Sequence, residues 1–184
     1  MKLKALLISL ALGIAATFAS HAAESLSPDL QAKVDARIKD IQTWAANPAV
    51  VAAVKAQNTT PPVDHAAMNQ DKWKALTILD PLVRGFSKNP TGEFLKSKKD
   101  DAVSEAFVSG ADGTKVAFLA KTSSWSHKGK PKHDEPMAGK TWQGAIEVDE
   151  STGLQQVQVA VPVLDGDKPI GSLVVGLSLS KLKS

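Results

Sequence analysis

Two runs of alternating side chains near the carboxyl end constrain the fold of this chain more than any other feature. Between residues 156 and 163, valine occupies every second position, and glutamine, alanine or proline lies between the valines. After the polar turn Asp165-Gly166-Asp167, residues 170–179 repeat the alternation with leucine and valine. A period of two is typical of a strand with one buried face. The Asp/Gly turn between the two runs predicts an antiparallel hairpin.

Three further strands are predicted upstream, so the sheet occupies residues 101–181. Residues 103–108 and 115–121 flank the turn Gly110-Ala111-Asp112-Gly113, and residues 141–148 form a third run before the closing hairpin. The segment 122–140 between them is polar and contains two histidines, two glycines and two prolines. The sequence therefore predicts five antiparallel strands interrupted by one long loop.

A long helix is predicted at the start of the folded region. Ser27-Pro28-Asp29 is typical of a helix start. Serine can cap the free N–H groups of the first turn, proline suits the first helical position, and aspartate complements the positive end of the helix dipole. Leu30, Val34, Ile38 and Ile41 then recur at helical spacing. This apolar stripe is wide enough for burial in the core or for pairing with another helix.

Shorter helices are predicted over residues 49–57 and 69–79, and residues 93–99 are expected to be a solvated connector. Trp44 and Trp73 lie on or beside apolar stripes and are expected to pack inside the protein. Helices over about 27–99 followed by strands give an α+β fold, in which a long N-terminal helix packs beside a five-stranded antiparallel sheet.

The first 22 residues have the features of a secretory signal peptide. Lys2 and Lys4 precede an apolar run that ends at Ser20-His21-Ala22-Ala23, and cleavage is expected after Ala22. The alternative is a membrane anchor, for which the run is short. Residues 23–184 are then one domain in the periplasm or outside the cell, with no output domain attached.

Charge and cysteine content exclude several functions. The net charge of the whole chain is +3, and two of its lysines lie in the predicted signal peptide, so the mature charge is close to neutral. Its lysines are dispersed, which argues against a nucleic-acid partner. The absence of cysteine excludes thiolate metal sites and thiol catalysis.

Short segments in a fixed order resemble the extracytoplasmic Cache domains, which are PAS-like sensor modules also called PDC domains. They include Ala46-Asn47-Pro48-Ala49-Val50, Phe107-Val108-Ser109-Gly110-Ala111-Asp112-Gly113, Trp142-Gln143, Asp149-Glu150-Ser151-Thr152-Gly153 and Val161-Pro162-Val163. The chain is most similar to a single, free-standing exported Cache domain. The resemblance implies a small-molecule pocket between the curved sheet and its long loop. It also implies a membrane-bound kinase, cyclase or chemoreceptor as the partner.

The resemblance also places candidate ligand-binding residues. Lys140 and Trp142 lie where the amino-acid-binding branch holds a ligand carboxylate, and Glu147 and Asp149 lie where it holds an ammonium. Only Trp142 and Asp149 keep the residue type of that branch, so the ligand class stays open. Lys140 and Trp142 are expected on the opposite strand face from the two acids unless a bulge intervenes. The alternative is a core tryptophan and solvated acids.

Trp125 and His127 are further candidates, because long loops in compact domains are commonly functional. Trp125 is expected to be an aromatic lid over a ligand and His127 to meet an anion; the alternative is a hydrophobic plug that fixes the loop. His127, His133, Asp134 and Glu135 match no metal-ligand spacing. Nearby serines lack the motif of a hydrolase. We therefore expect no metal, no cofactor and no enzymatic activity.

These patterns favour an exported domain that binds a small metabolite reversibly and reports it to a membrane signalling partner. The alternative is a protein-interaction or dimerisation module of the periplasm that uses the N-terminal helix as its docking surface. A metal-dependent or serine hydrolase is the third hypothesis.

Overall fold

The computed structural model describes residues 25–148 and 153–183. The predicted signal peptide and Asp149 lie outside these residues. Six helices come first: α1 (Pro28–Ala45), α2 (Pro48–Thr59), α3 (Val63–Ala66), α4 (Gln70–Ala75), α5 (Pro81–Lys88) and α6 (Pro90–Lys98). The remaining elements are β1 (Val103–Gly110), β2 (Lys115–Phe118), α7 (Pro131–Met137), β3 (Trp142–Val148), β4 (Gln155–Asp165), β5 (Lys168–Ser178) and α8 (Leu179–Lys183).

The α+β prediction is confirmed. Five antiparallel strands lie in the order β2-β1-β5-β4-β3, so the closing hairpin β4–β5 supplies strands to the middle of the sheet. Val174 at the centre of β5 pairs with Phe107 on one side and Ala160 on the other. A central strand made of such residues is buried on both faces, and the sequence prediction of one buried face is therefore incomplete.

Four helices begin with the same local device, which is proline in the first turn behind a capping side chain. Ser27, Asn47, Asp80 and Asn89 each accept a hydrogen bond from a backbone N–H of the first turn, at 2.8–3.4 Å. Proline is tolerated in the first turn because the N–H that it lacks would have no partner within the helix. The start predicted at Ser27 is confirmed, and the same rule fixes where α2, α5 and α6 begin.

Helix α1 packs on one face of the sheet, which we call the helix face. Its apolar stripe lies in the core with the valines of β4, and Ile38 at its edge is partly buried. The stripe is therefore used for burial within the domain. The sheet residues of this core are Val103, Ala106, Val108, Val116, Ala117, Val157, Val159, Val161, Val163, Ile170, Leu173, Val175 and Leu177.

The opposite face, which we call the loop face, carries a second core. The predictions that Trp44 and Trp73 are packing residues are both confirmed, Trp44 on the helix face and Trp73 on the loop face. The buried members of the loop-face core are Trp73, Val83, Phe86, Phe107, Phe118, Trp125, Ala160 and Val174.

Two sequence predictions in the helical region are wrong. The helix expected over residues 69–79 ends at Ala75, and Leu79 is 75% exposed. Residues 93–99 are not a solvated connector, because most of them belong to α6, and Leu95 is buried against the helix-face core. Within residues 25–148 and 153–183, none of the helices combines the length and the apolar character needed to cross a membrane.

Candidate functional site

The segment 119–141, which we call the covering loop, lies over the loop face of the sheet. Its helix α7 contacts both β4 and β5. The N–H of His127 donates to the carbonyl of Gly113 at 3.0 Å, and Thr114 forms an isolated bridge with Ser126. Backbone contacts thus fix the loop to the β1–β2 turn, which brings its side chains onto the sheet.

A fully buried lysine lies under this loop. Lys115, the first residue of β2, has 0% of its surface exposed, and its Nζ donates to Nδ1 of His127 at 2.5 Å. Both groups lie on Phe107: the imidazole stacks on the ring with 4.6 Å between centroids, and the ammonium lies 4.8 Å from the ring centroid. Glu105 and Asp112 supply the negative charges that act on Lys115.

Burial and mutual repulsion shift the titration of this pair. Burial lowers the pKa of Lys115 well below its ordinary value, and the charges of Lys130 and Lys132 lower it further, while Glu105 and Asp112 oppose the shift. Burial, followed by the charge of Lys115, lowers the pKa of His127 to about 2. His127 is therefore neutral near neutral pH, which agrees with its Nδ1 accepting a hydrogen bond. Burial is the largest cause for both groups, so both are held toward their neutral forms.

A second buried histidine lies on the same face. Nδ1 of His133, in α7, accepts from the hydroxyl of Ser172 on β5 at 2.8 Å, and its Nε2 faces the carbonyl of Ala111 at 3.4 Å. Burial lowers the pKa of His133, and the carbonyl of Ala111 opposes that shift. The imidazole thus links α7 to the centre of the sheet.

A third polar contact of the loop face joins Lys132 to Glu105 through Gln158. Lys132 donates to Oε1 of Gln158 at 2.6 Å, and the amide of Gln158 donates to Glu105 on β1. The pKa of Lys132 is lowered by burial, and the negative charges of Glu105 and Glu147 only partly offset this shift. We call Lys115, His127, Lys132 and His133, with their partners Glu105, Gln158 and Ser172, the loop-face site. An amine, two imidazoles and a second lysine in a water-poor layer can hold an anion.

Trp125, which the sequence analysis proposed as a lid, lies inside a cluster of aromatic rings. Its ring centroid is 5.2 Å from that of Trp73, 5.9 Å from Phe86 and 5.4 Å from His65. Such tilted and edge-on pairs stabilise beyond the area they bury. Trp125 therefore anchors the covering loop, beside the loop-face site.

The predicted residues of β3 share a face because the strand bulges. The register with β4 shifts between Gln143 and Ile146, so Trp142 packs on the loop-face core while Glu147 accepts from Gln156 at 3.1 Å on the same face. The bulge allowed for in the sequence analysis thus occurs. Lys140 is exposed and pairs with Glu135 at 3.3 Å.

Sequence reasoning missed the lysine on which the site is built. The candidates included His127 but not Lys115, although a lysine among the apolar residues of β2 is a charge on a buried strand. Lys132 and Ser172 were also missed, because neither stands in a recognisable motif. A lysine that begins an otherwise apolar strand was the available signal.

Residues of the metal and hydrolase hypotheses make other contacts in this structure. Among residues 25–148 and 153–183, no group of three His, Asp or Glu side chains is close enough together to hold a metal ion. Nδ1 of His127 faces Lys115, and the hydroxyl of Ser126 donates to the carbonyl of Asp112 at 2.9 Å. The serine and histidine of the covering loop are thus engaged elsewhere.

No protein-family description and no curated protein match this sequence. Solved structures do resemble it, and these are sensor or ligand-binding domains. The sensor domain of the V. cholerae histidine kinase DctB is 15% identical, with a TM-score of 0.40 over 84% of this chain. The ligand-binding domain of the Pseudomonas aeruginosa amino acid chemoreceptor PctC, in complex with GABA, is 15% identical with a TM-score of 0.44 over 84%.

A third similar structure is the ligand-binding domain of the Campylobacter jejuni chemoreceptor Tlp3 with L-norvaline. It is 14% identical, with a TM-score of 0.46 over 83% of this chain. The chain spans only 55–61% of the length of these three domains. At 14–15% identity and TM-scores of 0.40–0.46, the ligands of these domains are not carried over to this chain.

Proposed function

We propose that this domain binds a small anionic metabolite at the loop-face site and reports it to a membrane signalling partner. The observation that carries the proposal is the complete burial of Lys115 beneath the covering loop, where the imidazole of His127 is its hydrogen-bond partner. A buried amine is costly, because removal from water disfavours its charged form. An anion that enters this layer restores the charged form and repays that cost.

Binding in this proposal involves movement of the covering loop. Lys115, His127 and His133 are almost completely buried, so a ligand reaches them only when the loop lifts from the sheet. The polar contacts of α7 with the sheet include side-chain hydrogen bonds from Lys132 and His133. A ligand that bridges Lys115 and α7 changes the equilibrium between open and closed loop, and this change is the signal.

The location and the partner follow from the sequence rather than from the site. With residues 1–22 removed as a signal peptide, the domain works in the periplasm or outside the cell. Its partner is then a membrane-bound kinase, cyclase or chemoreceptor that responds to the state of the loop.

A thermal-shift experiment tests the proposed site. The protein is unfolded by heat in the presence of acetate, succinate, L-glutamate or inorganic phosphate. Succinamide is the uncharged match to succinate. A ligand at 100 times its Kd stabilises by about 2.7 kcal/mol. We expect at least one anion to raise Tm by roughly 5 °C or more and succinamide to have no effect.

Two lysine variants make this test specific. Lys115→Met keeps the apolar length of the side chain and removes the amine, so we expect the response to the anion to disappear. Lys128→Met changes an exposed lysine of the covering loop and is the matched control, which keeps the response. An unchanged response in Lys115→Met, or no response to any anion, would overturn the proposal. A protein partner without a small ligand would then be the better hypothesis.

A further inference from the structure

A groove separate from the loop-face site lies between α2, α5 and α6, beside the start of β2. Its volume is about 660 Å³, and it shares no residue with the loop-face site. Cavities of about 300–1,000 Å³ with mostly apolar walls are typical of small-molecule sites. The groove therefore has the size of a ligand pocket.

Missing side chains on both walls keep this groove open. Ala49, Ala53 and Ala56 line it from successive turns of α2, and Gly85 lines it from α5. A Cβ atom added at Gly85 would meet no heavy atom within 4 Å. Glycine inside a helix is less stable than alanine by roughly 0.5–1 kcal/mol, so this empty position lowers the stability of α5.

A buried hydroxyl without a partner lies in the wall of the groove. Thr91 is 1% exposed, and its Oγ1 has no hydrogen-bond partner among the described residues. Gln57 and His65, which line the groove beside it, are joined at 3.0 Å between Nε2 and Nδ1. Leaving a buried hydroxyl unpaired is costly, but this oxygen has almost no surface open to the groove. Gln57 is 9% exposed and His65 is partly exposed, so a hydrogen-bonding head group in the groove can reach this pair.

The lining excludes a charged ligand. No lysine, arginine, aspartate or glutamate lines the groove. Burial lowers the pKa of His65, while Asp64 and Asp112 oppose that shift, so its imidazole is mainly neutral near neutral pH. A charged group in such a groove would lose its hydration without gaining a counter-charge.

We propose that this groove is a second binding site, which takes an uncharged amphipathic molecule with an apolar body and one hydrogen-bonding head group. The apolar body lies along the alanines of α2 and over Gly85, and the head group meets the Gln57–His65 pair. The chemistry of this ligand is opposite to that of the anion at the loop-face site, so the two proposals can fail separately.

The probes for the test are octan-1-ol and indole, with octanoate as the charged match to octan-1-ol. The protein is labelled at alanine methyl groups, and methyl shifts are followed by NMR during titration. We expect octan-1-ol or indole to shift the signals of Ala49 and Ala53 saturably, and octanoate at the same concentration to leave them unchanged.

Variants separate this site from nonspecific binding. Gly85→Leu fills the groove and is expected to abolish the shifts in a folded protein, whereas Lys88→Leu adds the same side chain to α5 away from the lining. Gln57→Leu removes the amide from the groove wall, so it should weaken octan-1-ol binding at least fivefold, whereas Thr91→Val changes a hydroxyl closed off from the groove and should leave the affinity unchanged.

Three results would overturn the proposal: no saturable shift with either probe, equal shifts with octanoate, or full binding by a folded Gly85→Leu protein. If Gly85→Leu does not fold, Gln57→Leu decides the question, because unchanged octan-1-ol affinity in that variant would equally overturn the proposal.

Discussion

Two glycines in neighbouring helices illustrate how differently single positions are constrained. A Cβ atom at Gly92, in the first turn of α6, would lie 2.5 Å from the carbonyl oxygen of Phe86 and 2.7 Å from the carbonyl carbon of Ser87. The space at Gly85, in the middle of α5, is empty. Glycine at position 92 therefore permits the close approach of α5 and α6. At position 85 no neighbouring atom requires glycine, and a larger side chain would fit.

The same substitution should have opposite effects at these two positions. We expect Gly92→Ala to lower the free energy of unfolding by about 1–3 kcal/mol, because backbone must move to admit the methyl group. Gly85→Ala should raise it by about 0.5–1 kcal/mol through helix propensity. Urea denaturation of both variants measures the difference, and equal effects would contradict the geometry described for α5 and α6.

At the scale of elements, the covering loop is held by one large side chain and several polar contacts. Trp125 inserts into the ring cluster formed with Trp73 and Phe86, whereas Lys115 and Ser172 contribute hydrogen bonds from the sheet beneath. Because apolar burial is worth more than a single hydrogen bond, the ring should dominate loop stability.

Truncation of the Trp125 side chain tests whether the ring contributes more to loop stability than the hydrogen bonds do. Trp125→Ala should destabilise the protein by about 3–5 kcal/mol, the range for a buried aromatic side chain. Hydrogen exchange should accelerate at His127, whose N–H is bonded to Gly113, more than at Val174 in the central strand. Trp142→Ala, on the partly buried ring of β3, is the control and should leave the exchange of His127 slow.

Elements with a local signal could be predicted from the sequence, and those set by distant contacts could not. The strands β4 and β5 follow from alternation and an Asp/Gly turn, which are properties of neighbouring residues. The helix α6 was missed because its buried face is short and its lysines suggested a solvated segment. Leu79 has the spacing of a buried residue but lies beyond the end of α4.

The site was even less accessible to sequence reasoning. His127 was named from its loop, but its partner Lys115 lies twelve residues earlier on a strand, and only the fold of the loop joins them. The bulge in β3 places Trp142 and Glu147 on one face, and it depends on pairing with β4. Long-range pairing of this kind leaves no periodic mark in a single sequence.

At the scale of the whole molecule, the buried basic groups make stability depend on pH. Unfolded His127 binds a proton below its ordinary pKa of 6.5, whereas the folded residue stays neutral down to a pKa of about 2. Between these values the unfolded state binds more protons, so acidification destabilises the fold. The lowered pKa of His133 acts in the same direction.

We therefore expect the free energy of unfolding to fall by up to about 2 kcal/mol for His127 alone as the pH decreases from 6.5 to about 5. Urea denaturation across this range measures the slope. His127→Gln keeps a polar group on Phe107 but does not titrate, and its slope should be shallower. A variant slope as steep as that of the unchanged protein would contradict the burial of a neutral imidazole.

Anion binding should be coupled to proton uptake, because the same groups serve both functions. An anion at the loop-face site favours the charged forms of Lys115 and the two histidines, which raises their lowered pKa values and draws protons from solvent. Calorimetric titration with the binding anion near pH 7 in PIPES and in Tris should give enthalpies that differ with buffer ionisation and report net uptake. Lys115→Met cannot bind that proton, so any remaining binding by this variant should show a smaller buffer dependence. Equal enthalpies in both buffers for the unchanged protein would mean that the anion binds away from the buried amine, in spite of the positive charge gathered there.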